Sequence, residues 1–143
     1  MSEPTHAESL YRAAIMDHAR RPRHWATPAS PSRRGEVVNR LCGDRAVVSL
    51  VSVPGDVIQL AVSGEGCAIC RASLSMMASL LNGRGWDALD ASRRAFDAMV
   101  DGAEPSETLG EVAALSAVTM FPARQRCATL AWEALTEALA EAP

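Results

Sequence analysis

Lysine is absent from this chain of 143 residues, so all 14 of its cationic side chains are arginines. A lysine ε-amine is the group that forms Schiff bases with carbonyl substrates and with pyridoxal phosphate. The chain therefore has no Schiff-base nucleophile of its own. Any pyridoxal phosphate that takes part in its chemistry must belong to a partner.

Aromatic residues and excess positive charge are also scarce. The chain has 3 tryptophans, 1 tyrosine and 2 phenylalanines, and its formal net charge is -3. Nucleic-acid-binding domains usually carry a basic face with interleaved aromatic residues. We therefore expect no nucleic-acid partner.

Long apolar runs are missing as well. No stretch approaches the roughly 20 consecutive apolar residues of a membrane-spanning helix. Residues 1–6 show no basic patch followed by an apolar segment, so the sequence has no visible signal peptide. These absences predict a cytoplasmic protein with no membrane partner.

Cysteines are few, and their number sets the type of chemistry to expect. In a reducing compartment the four cysteines favour metal binding or thiol chemistry over disulfides. At 143 residues and 48% hydrophobic content, the chain is long enough for one core and short for two. We therefore predict a single domain over residues 1–143.

Three segments have the pattern of β-strands. Residues 46–53 are rich in valine, residues 57–63 alternate apolar and polar side chains, and Pro54-Gly55-Asp56 supplies a turn between them. Val37-Val38 begins a further short strand. We interpret residues 25–35 as an irregular connection.

The remaining segments have helical spacing. Apolar residues fall on one stripe over residues 10–20, from Cys67 to Leu81, over 86–100, over 109–118 and from Pro122 onward. Proline is favoured at the first helical position, which places the start of the last helix. The expected fold class is α+β, a three-stranded antiparallel sheet with helices packed on one side.

Three cysteines lie in contexts that suit metal or sulfur chemistry. Cys67 follows the predicted turn Gly64-Glu65-Gly66 and begins a helix, whose positive end favours a thiolate. Cys127 lies just inside the last helix beside Arg126, and Cys42 lies in a short loop two residues before Asp44. Three thiolates and one carboxylate make a four-ligand set that suits tetrahedral zinc.

Spacing alone leaves other interpretations open. Cys127 lies on an apolar stripe, where a buried cysteine is common as a small hydrophobic residue. Asp44 equally suits a turn residue. His18 and His24 are isolated, and such histidines are more often surface or packing residues than ligands.

Four separate motifs resolve this ambiguity by resemblance. They are Leu10-Tyr11-Arg12 with Ile15-Met16-Asp17-His18 and Pro22-Arg23; Asn39 with Cys42-Gly43-Asp44-Arg45; Gly64-Glu65-Gly66-Cys67 with Ala72-Ser73 and Ser75-Met76-Met77; and Phe121-Pro122-Ala123-Arg124 with Cys127-Ala128-Thr129-Leu130 and Trp132. Together they resemble the SufU branch of the iron-sulfur cluster assembly scaffold family, which also contains IscU and the NifU N-terminal domain. The resemblance extends from about Leu10 to Leu135.

The resemblance implies that Cys42, Asp44, Cys67 and Cys127 form the metal site. IscU-type members have a histidine directly before the last cysteine, whereas this chain has Arg126 there. The segment over residues 86–110 also resembles an insertion that is typical of SufU-type members. They are zinc-containing sulfur acceptors for a pyridoxal-phosphate cysteine desulfurase of the SufS type.

The function implied by the resemblance is sulfur transfer in iron-sulfur cluster assembly. Cys42 would accept persulfide sulfur from the desulfurase, and the protein would pass it to a SufBCD-type assembly complex while activating its partner. Two alternatives stay open. The same residues could hold a transient 2Fe-2S cluster, as in IscU-like scaffolds, or zinc could be structural in a protein that only activates its partner by docking.

Two arginines and one further cysteine complete the list of candidates. Arg124 and Arg126 are expected to offset the negative charge of the thiolates, and Arg124 to face a partner at the mouth of the site. Cys70 forms a Cys-x-x-Cys pair with Cys67, at a position where SufU-like sequences usually have serine. A thioredoxin-like role would need a parallel sheet that the predicted hairpin does not supply. The role of Cys70 stays open.

Overall fold

A computed structural model describes residues 6–140 and confirms the α+β fold. The three strands form one antiparallel sheet in the order β1-β2-β3. In chain order the elements are α1 (His6–Arg20), β1 (Arg33–Val38), β2 (Arg45–Val53), β3 (Val57–Glu65), α2 (Ala68–Leu81), α3 (Trp86–Val100), a 3₁₀ segment (Glu107–Leu115), α4 (Ser116–Thr119) and α5 (Pro122–Ala140). Within the described residues, no helix is both long and apolar enough to span a bilayer.

The core lies between one face of the sheet and the helices. Val48 pairs with Val62 and Leu50 with Leu60, and all four side chains are buried. Helix α5 packs on β1 and β2, while α2 packs on β3 and on α5. Full burial of each such aliphatic side chain contributes about 1.5–3 kcal/mol. This packing fixes the starts of α2 and α5 relative to the β1–β2 loop.

Strand β1 is longer than the sequence indicated. It begins at Arg33, so the interpretation of residues 25–35 as wholly irregular is wrong. The alternation is hidden because Gly35 takes an inward position, and a Cβ there would overlap the carbonyl oxygen of Ala134. Glycine is needed at this position because α5 approaches β1 closely.

The outer edge of β3 is covered by residues that the sequence also assigned to the irregular connection. Trp25 forms a parallel bridge with Val62. The Val62 N–H donates to the His24 carbonyl at 2.9 Å, and the Ala26 N–H donates to the Val62 carbonyl at 3.0 Å. These bonds satisfy backbone groups that an exposed edge strand would offer to other chains.

Two further expectations need correction. Gly64 and Glu65 belong to β3, where Gly64 pairs with Ala46, and are not part of a turn. The predicted helix over residues 109–118 is instead the 3₁₀ segment followed by the short helix α4. Gly110 has a φ of 51°, a left-handed conformation that interrupts a regular α-helix.

His18 is a buried packing residue, one of the two roles expected from the sequence. Its Nδ1 lies 2.8 Å from Ser75 Oγ, and its Nε2 lies 3.3 Å from a carboxylate oxygen of Glu111. The Arg23 N–H donates to the same Ser75 oxygen at 2.8 Å. Polar contacts thereby connect α1 to α2 and to the 3₁₀ segment.

Candidate metal centre

The loop between β1 and β2 is closed by hydrogen bonds to one residue, Asn39. Its N–H donates to the Asp44 carbonyl at 2.8 Å, and its carbonyl accepts from the Gly43 N–H at 2.7 Å. Its side-chain oxygen accepts from the Leu41 N–H at 3.1 Å. Gly43 takes a φ of 79°, which glycine adopts without steric cost. The loop thus presents Cys42 outward, and the Cys42 side chain is exposed.

Cys67 is the N-cap residue of α2. Its backbone is extended (φ -70°, ψ 171°), and its carbonyl accepts the first helical hydrogen bond from the Arg71 N–H at 3.1 Å. Its thiol is exposed and forms no capping hydrogen bond with the backbone. Cys67 therefore lies at the start of a helix, where the sequence placed it, beside the free amide groups of the first turn.

Three of the four predicted ligand residues come together in space. A carboxylate oxygen of Asp44, Cys67 Sγ and Cys127 Sγ all lie within 4.8 Å of one another. Asp44 comes from the β1–β2 loop, Cys67 from the start of α2 and Cys127 from the second turn of α5. Ligands bound to one zinc at about 2.0–2.3 Å each are separated by comparable distances.

Cys42 lies outside this group of three. Its negative charge nevertheless contributes to the raised pKa of Cys127, which places its thiol in the electrostatic surroundings of the group. The loop that carries Cys42 continues directly into Asp44. Cys42 is therefore an adjacent donor on the most exposed of the three segments.

Burial and the neighbouring donors suppress ionisation of Cys127 in the absence of a cation. Burial, the hydrogen bond with Cys67 and then the charges of Cys67, Asp44 and Cys42 raise the pKa of Cys127 to about 11. A divalent cation among these atoms removes the conflict, because a coordinating thiol is deprotonated. The donor set fits a borderline-soft metal such as zinc.

The two nearby arginines have different surroundings. Arg126 Nε lies 3.2 Å from Glu133 Oε2, so this guanidinium has an anionic partner on its own helix. That Arg126 offsets the charge of the site stays a prediction. Arg124 is exposed, and within residues 6–140 its guanidinium forms no ion pair.

Cys70 is buried beneath the group. Its exposed fraction is 0%, and it is not one of the three clustered donors. Burial, followed by the charges of Asp44 and Cys67, raises the pKa of its thiol to about 12. Cys70 therefore belongs to the core as a protonated thiol in this conformation.

Gly66 makes room for the carboxylate. A Cβ at this position would lie 2.9 Å from Asp44 Cγ and 3.1 Å from Asp44 Oδ2, closer than real side chains pack. Sequence inspection treated Gly66 only as part of a turn. The structure shows that its missing side chain lets Asp44 reach the two thiols.

We expect Gly66→Ala to weaken metal binding through Asp44. The added methyl group must displace the carboxylate, so zinc affinity should fall by about the 10- to 100-fold typical of losing a supporting group at a metal site. Competition with a chromophoric chelator measures the affinity. In a double-mutant cycle, Gly66→Ala should lower zinc affinity only slightly further when Asp44→Ala is already present. Independent, additive losses would contradict this mechanism.

Comparison with known proteins places the chain in a family. The model of the NifU-like N terminal domain matches residues 10–141. The chain is 36% identical to the zinc-dependent sulfurtransferase SufU of Bacillus subtilis, over 99% of this chain and 97% of that protein. It is 39% identical to the iron-sulfur cluster assembly scaffold protein IscU of Streptococcus pyogenes, over 91% of this chain and 82% of that protein.

Solved structures agree with this assignment. A protein from Fervidobacterium islandicum, described as an iron-sulfur cluster assembly scaffold for the SUF system, superposes with a TM-score of 0.80 at 27% identity, covering 88% of this chain and 93% of that one. The chain therefore belongs to the NifU-like N-terminal domain family. The resemblance drawn from its four motifs is confirmed.

Proposed function

We propose that this protein is a zinc-dependent sulfur-transfer protein of iron-sulfur cluster assembly. It accepts persulfide sulfur from a SufS-type cysteine desulfurase and passes it to a SufBCD-type assembly complex. The observation that carries the proposal is the convergence of Asp44, Cys67 and Cys127 within 4.8 Å beside the exposed thiol of Cys42. The zinc-dependent sulfurtransferase among its relatives supports the same activity.

Asp44, Cys67 and Cys127 would hold the zinc, with Cys42 as fourth ligand. Bound zinc keeps the thiols deprotonated and holds the loop against the helix starts. With three thiolates and one carboxylate, the occupied site has a net charge of about -2. Such a charge favours a partner surface that offers cationic or hydrogen-bond-donor groups.

Cys42 is the acceptor in this proposal. Its thiolate attacks the terminal sulfur of the desulfurase persulfide, forming a new S–S bond on Cys42. The bond between that sulfur and the desulfurase cysteine breaks, and the desulfurase thiolate leaves. Its exposed position in a loop, next to Gly43, suits Cys42 to this role better than Cys67 or Cys127, which are held at helices.

Exposed apolar side chains close to the ligands in sequence provide a docking surface. Leu41, directly before Cys42, is 98% exposed; Met120 and Phe121, directly before α5, are 71% and 55% exposed. Isolated exposed apolar residues are ordinary, but these three flank two ligand-bearing segments. Arg124, on the first turn of α5, adds a guanidinium that forms no ion pair with any other residue of the described range 6–140.

Arg124→Ala should reduce stimulation of the desulfurase while leaving zinc content unchanged. The free guanidinium can bind a partner carboxylate through two parallel hydrogen bonds, and loss of such a pair costs about 1.5–3 kcal/mol, or roughly 10- to 150-fold in affinity. Alanine release by the desulfurase measures the effect at varied concentrations of this protein. Arg126→Ala is the matched control, because Glu133 already holds Arg126. Equal effects of the two substitutions would exclude a specific role for Arg124.

Elemental analysis of the protein as purified tests the proposal most directly. We expect close to one zinc per chain and no visible absorption, since zinc has a filled d shell. The IscU relative favours a second candidate, a scaffold that holds a transient 2Fe-2S cluster. Stoichiometric iron and sulfide with visible absorption would establish that function in place of sulfur transfer.

A further inference from the structure

We propose that Cys67 and Cys70 form a reversible disulfide under peroxide, which removes Cys67 from the metal site and stops sulfur transfer. The formation of the disulfide depends only on the two cysteines. Its effect on sulfur transfer rests on the proposed function. The pair is a modification site for hydrogen peroxide and related hydroperoxides.

The geometry of the first turn of α2 allows this bond. Cys67 is the N-cap and Cys70 the third residue of the helix, and the hydrogen bond from Arg71 N–H to the Cys67 carbonyl shows that the turn is formed. Residues three apart on a helix have Cβ atoms about 5–6 Å apart. Disulfides join Cβ atoms about 3.5–4.5 Å apart. Closure therefore needs the two Cβ atoms to approach by about 1–2 Å, which the first turn can supply because the backbone of the N-cap residue Cys67 is extended and not helical.

The two thiols differ in accessibility: Cys67 is placed to react with an oxidant, and Cys70 is placed to resolve the oxidised Cys67. Cys67 is exposed at the positive end of the helix, whereas Cys70 is 0% exposed. An oxidant in solution reaches Cys67 first. Cys70 stays protected from direct oxidation but lies one turn away from the sulfur that has reacted.

The chemistry balances with peroxide as the oxidant. The Cys67 thiolate attacks one oxygen of hydrogen peroxide, giving a sulfenic acid and hydroxide. The Cys70 thiol then attacks the Cys67 sulfur, forming the S–S bond and releasing the oxygen as water. Two thiols are oxidised, one peroxide is reduced to two waters, and a dithiol reductant reverses the change.

Loss of Cys67 dismantles the group of donors. Asp44 and Cys127 remain of the three clustered residues, so the site loses one of its strongest ligands. Without Cys70, a sulfenic acid on Cys67 has no resolving thiol on its own turn, and the fraction that Cys127 does not resolve proceeds to sulfinic acid, which dithiols do not reduce. Cys70 thus converts irreversible damage into a reversible switch.

Cys127 is the competing resolving thiol, because it is hydrogen-bonded to Cys67 inside the same group. A bond between Cys67 and Cys127 would join the starts of two separate helices. The bond to Cys70 closes within one turn and leaves the packing of α2 on α5 unchanged. We therefore favour Cys70.

Tryptic peptides distinguish these outcomes, because cleavage at arginine leaves residues 46–71 as one peptide containing Cys67 and Cys70 alone. Zinc-loaded and zinc-free protein are treated with a few equivalents of hydrogen peroxide, and free thiols are then alkylated. We expect peptide 46–71 to be two hydrogen masses lighter and to resist alkylation. Zinc released by the loaded protein should return after treatment with dithiothreitol.

Cys70→Ser supplies the control. This variant should bind zinc before oxidation, release it under peroxide and recover less of it than the wild type after dithiothreitol, with sulfinic acid on part of the Cys67. A cross-link between peptide 46–71 and the peptide that begins at Cys127 would overturn the proposal. Recovery of zinc by Cys70→Ser as complete as in the wild type would also overturn it. Neither readout depends on sulfur transfer, so each result stands even where the proposed function fails.

Discussion

Cys42→Ala is expected to retain most of its zinc and its fold but to accept no sulfur. Asp44, Cys67 and Cys127 are held by separate packed elements and remain in place when the loop thiol is removed. Water can occupy the fourth position, as at zinc sites that keep one position open. Without a thiolate at position 42, no nucleophile is available to take the persulfide sulfur.

Mass spectrometry after incubation with the desulfurase and cysteine locates the transferred sulfur. In the wild type, the added mass of one sulfur should appear on Cys42 and be absent from the variant. Added sulfur on Cys67, Cys70 or Cys127, with none on Cys42, would refute this assignment of roles. A Cys42→Ala variant that stimulates the desulfurase fully would instead support a docking activator with structural zinc.

Cys67→Ser and Cys127→Ser are expected to lose zinc and much of the stability of the protein. Serine is a far poorer zinc ligand than a thiolate, and binding energy at a structural zinc site is also folding energy. Such sites contribute about 10–16 kcal/mol in zinc-finger peptides, which is comparable with the roughly 5–15 kcal/mol that usually separates folded from unfolded domains. Zinc analysis and thermal unfolding before and after chelation measure both effects.

Cys70→Ser is the matched control for these two variants. It makes the same chemical change on the same helix, three residues from Cys67, but at a buried thiol outside the clustered donors. We expect its zinc content to equal that of the wild type. Equal zinc loss in all three variants would show that Cys70 is a ligand.

Most of the fold follows from local patterns in the sequence. The β2–β3 hairpin was predictable because Ile58, Leu60 and Val62 alternate with polar residues behind the turn at residues 54–56. Strand β1 was largely missed because its inward residue Gly35 has no side chain to mark the alternation. Only the close approach of α5 explains a glycine there.

The candidate site was likewise predictable from the sequence only in part. Local sequence predicted that Cys67 lies at a helix start and Cys127 inside the last helix, and both are so placed. The pairing of Arg126 with Glu133, seven residues further along α5, depends on side-chain conformations that adjacency to Cys127 does not reveal. Asn39 was visible only as a member of a motif, since its hydrogen bonds depend on how the loop closes.

The sequence by itself determined the family, the order of the elements and the four residues proposed as ligands, because motifs and periodicity are local properties of the chain. The tertiary structure decided that Asp44, Cys67 and Cys127 meet, that Gly66 makes space for the carboxylate, and that Cys70 lies in the core. These facts join residues up to 83 positions apart along the chain, from Asp44 to Cys127. Residues so far apart in sequence meet only when the sheet and helices α2 and α5 bury their apolar faces against one another.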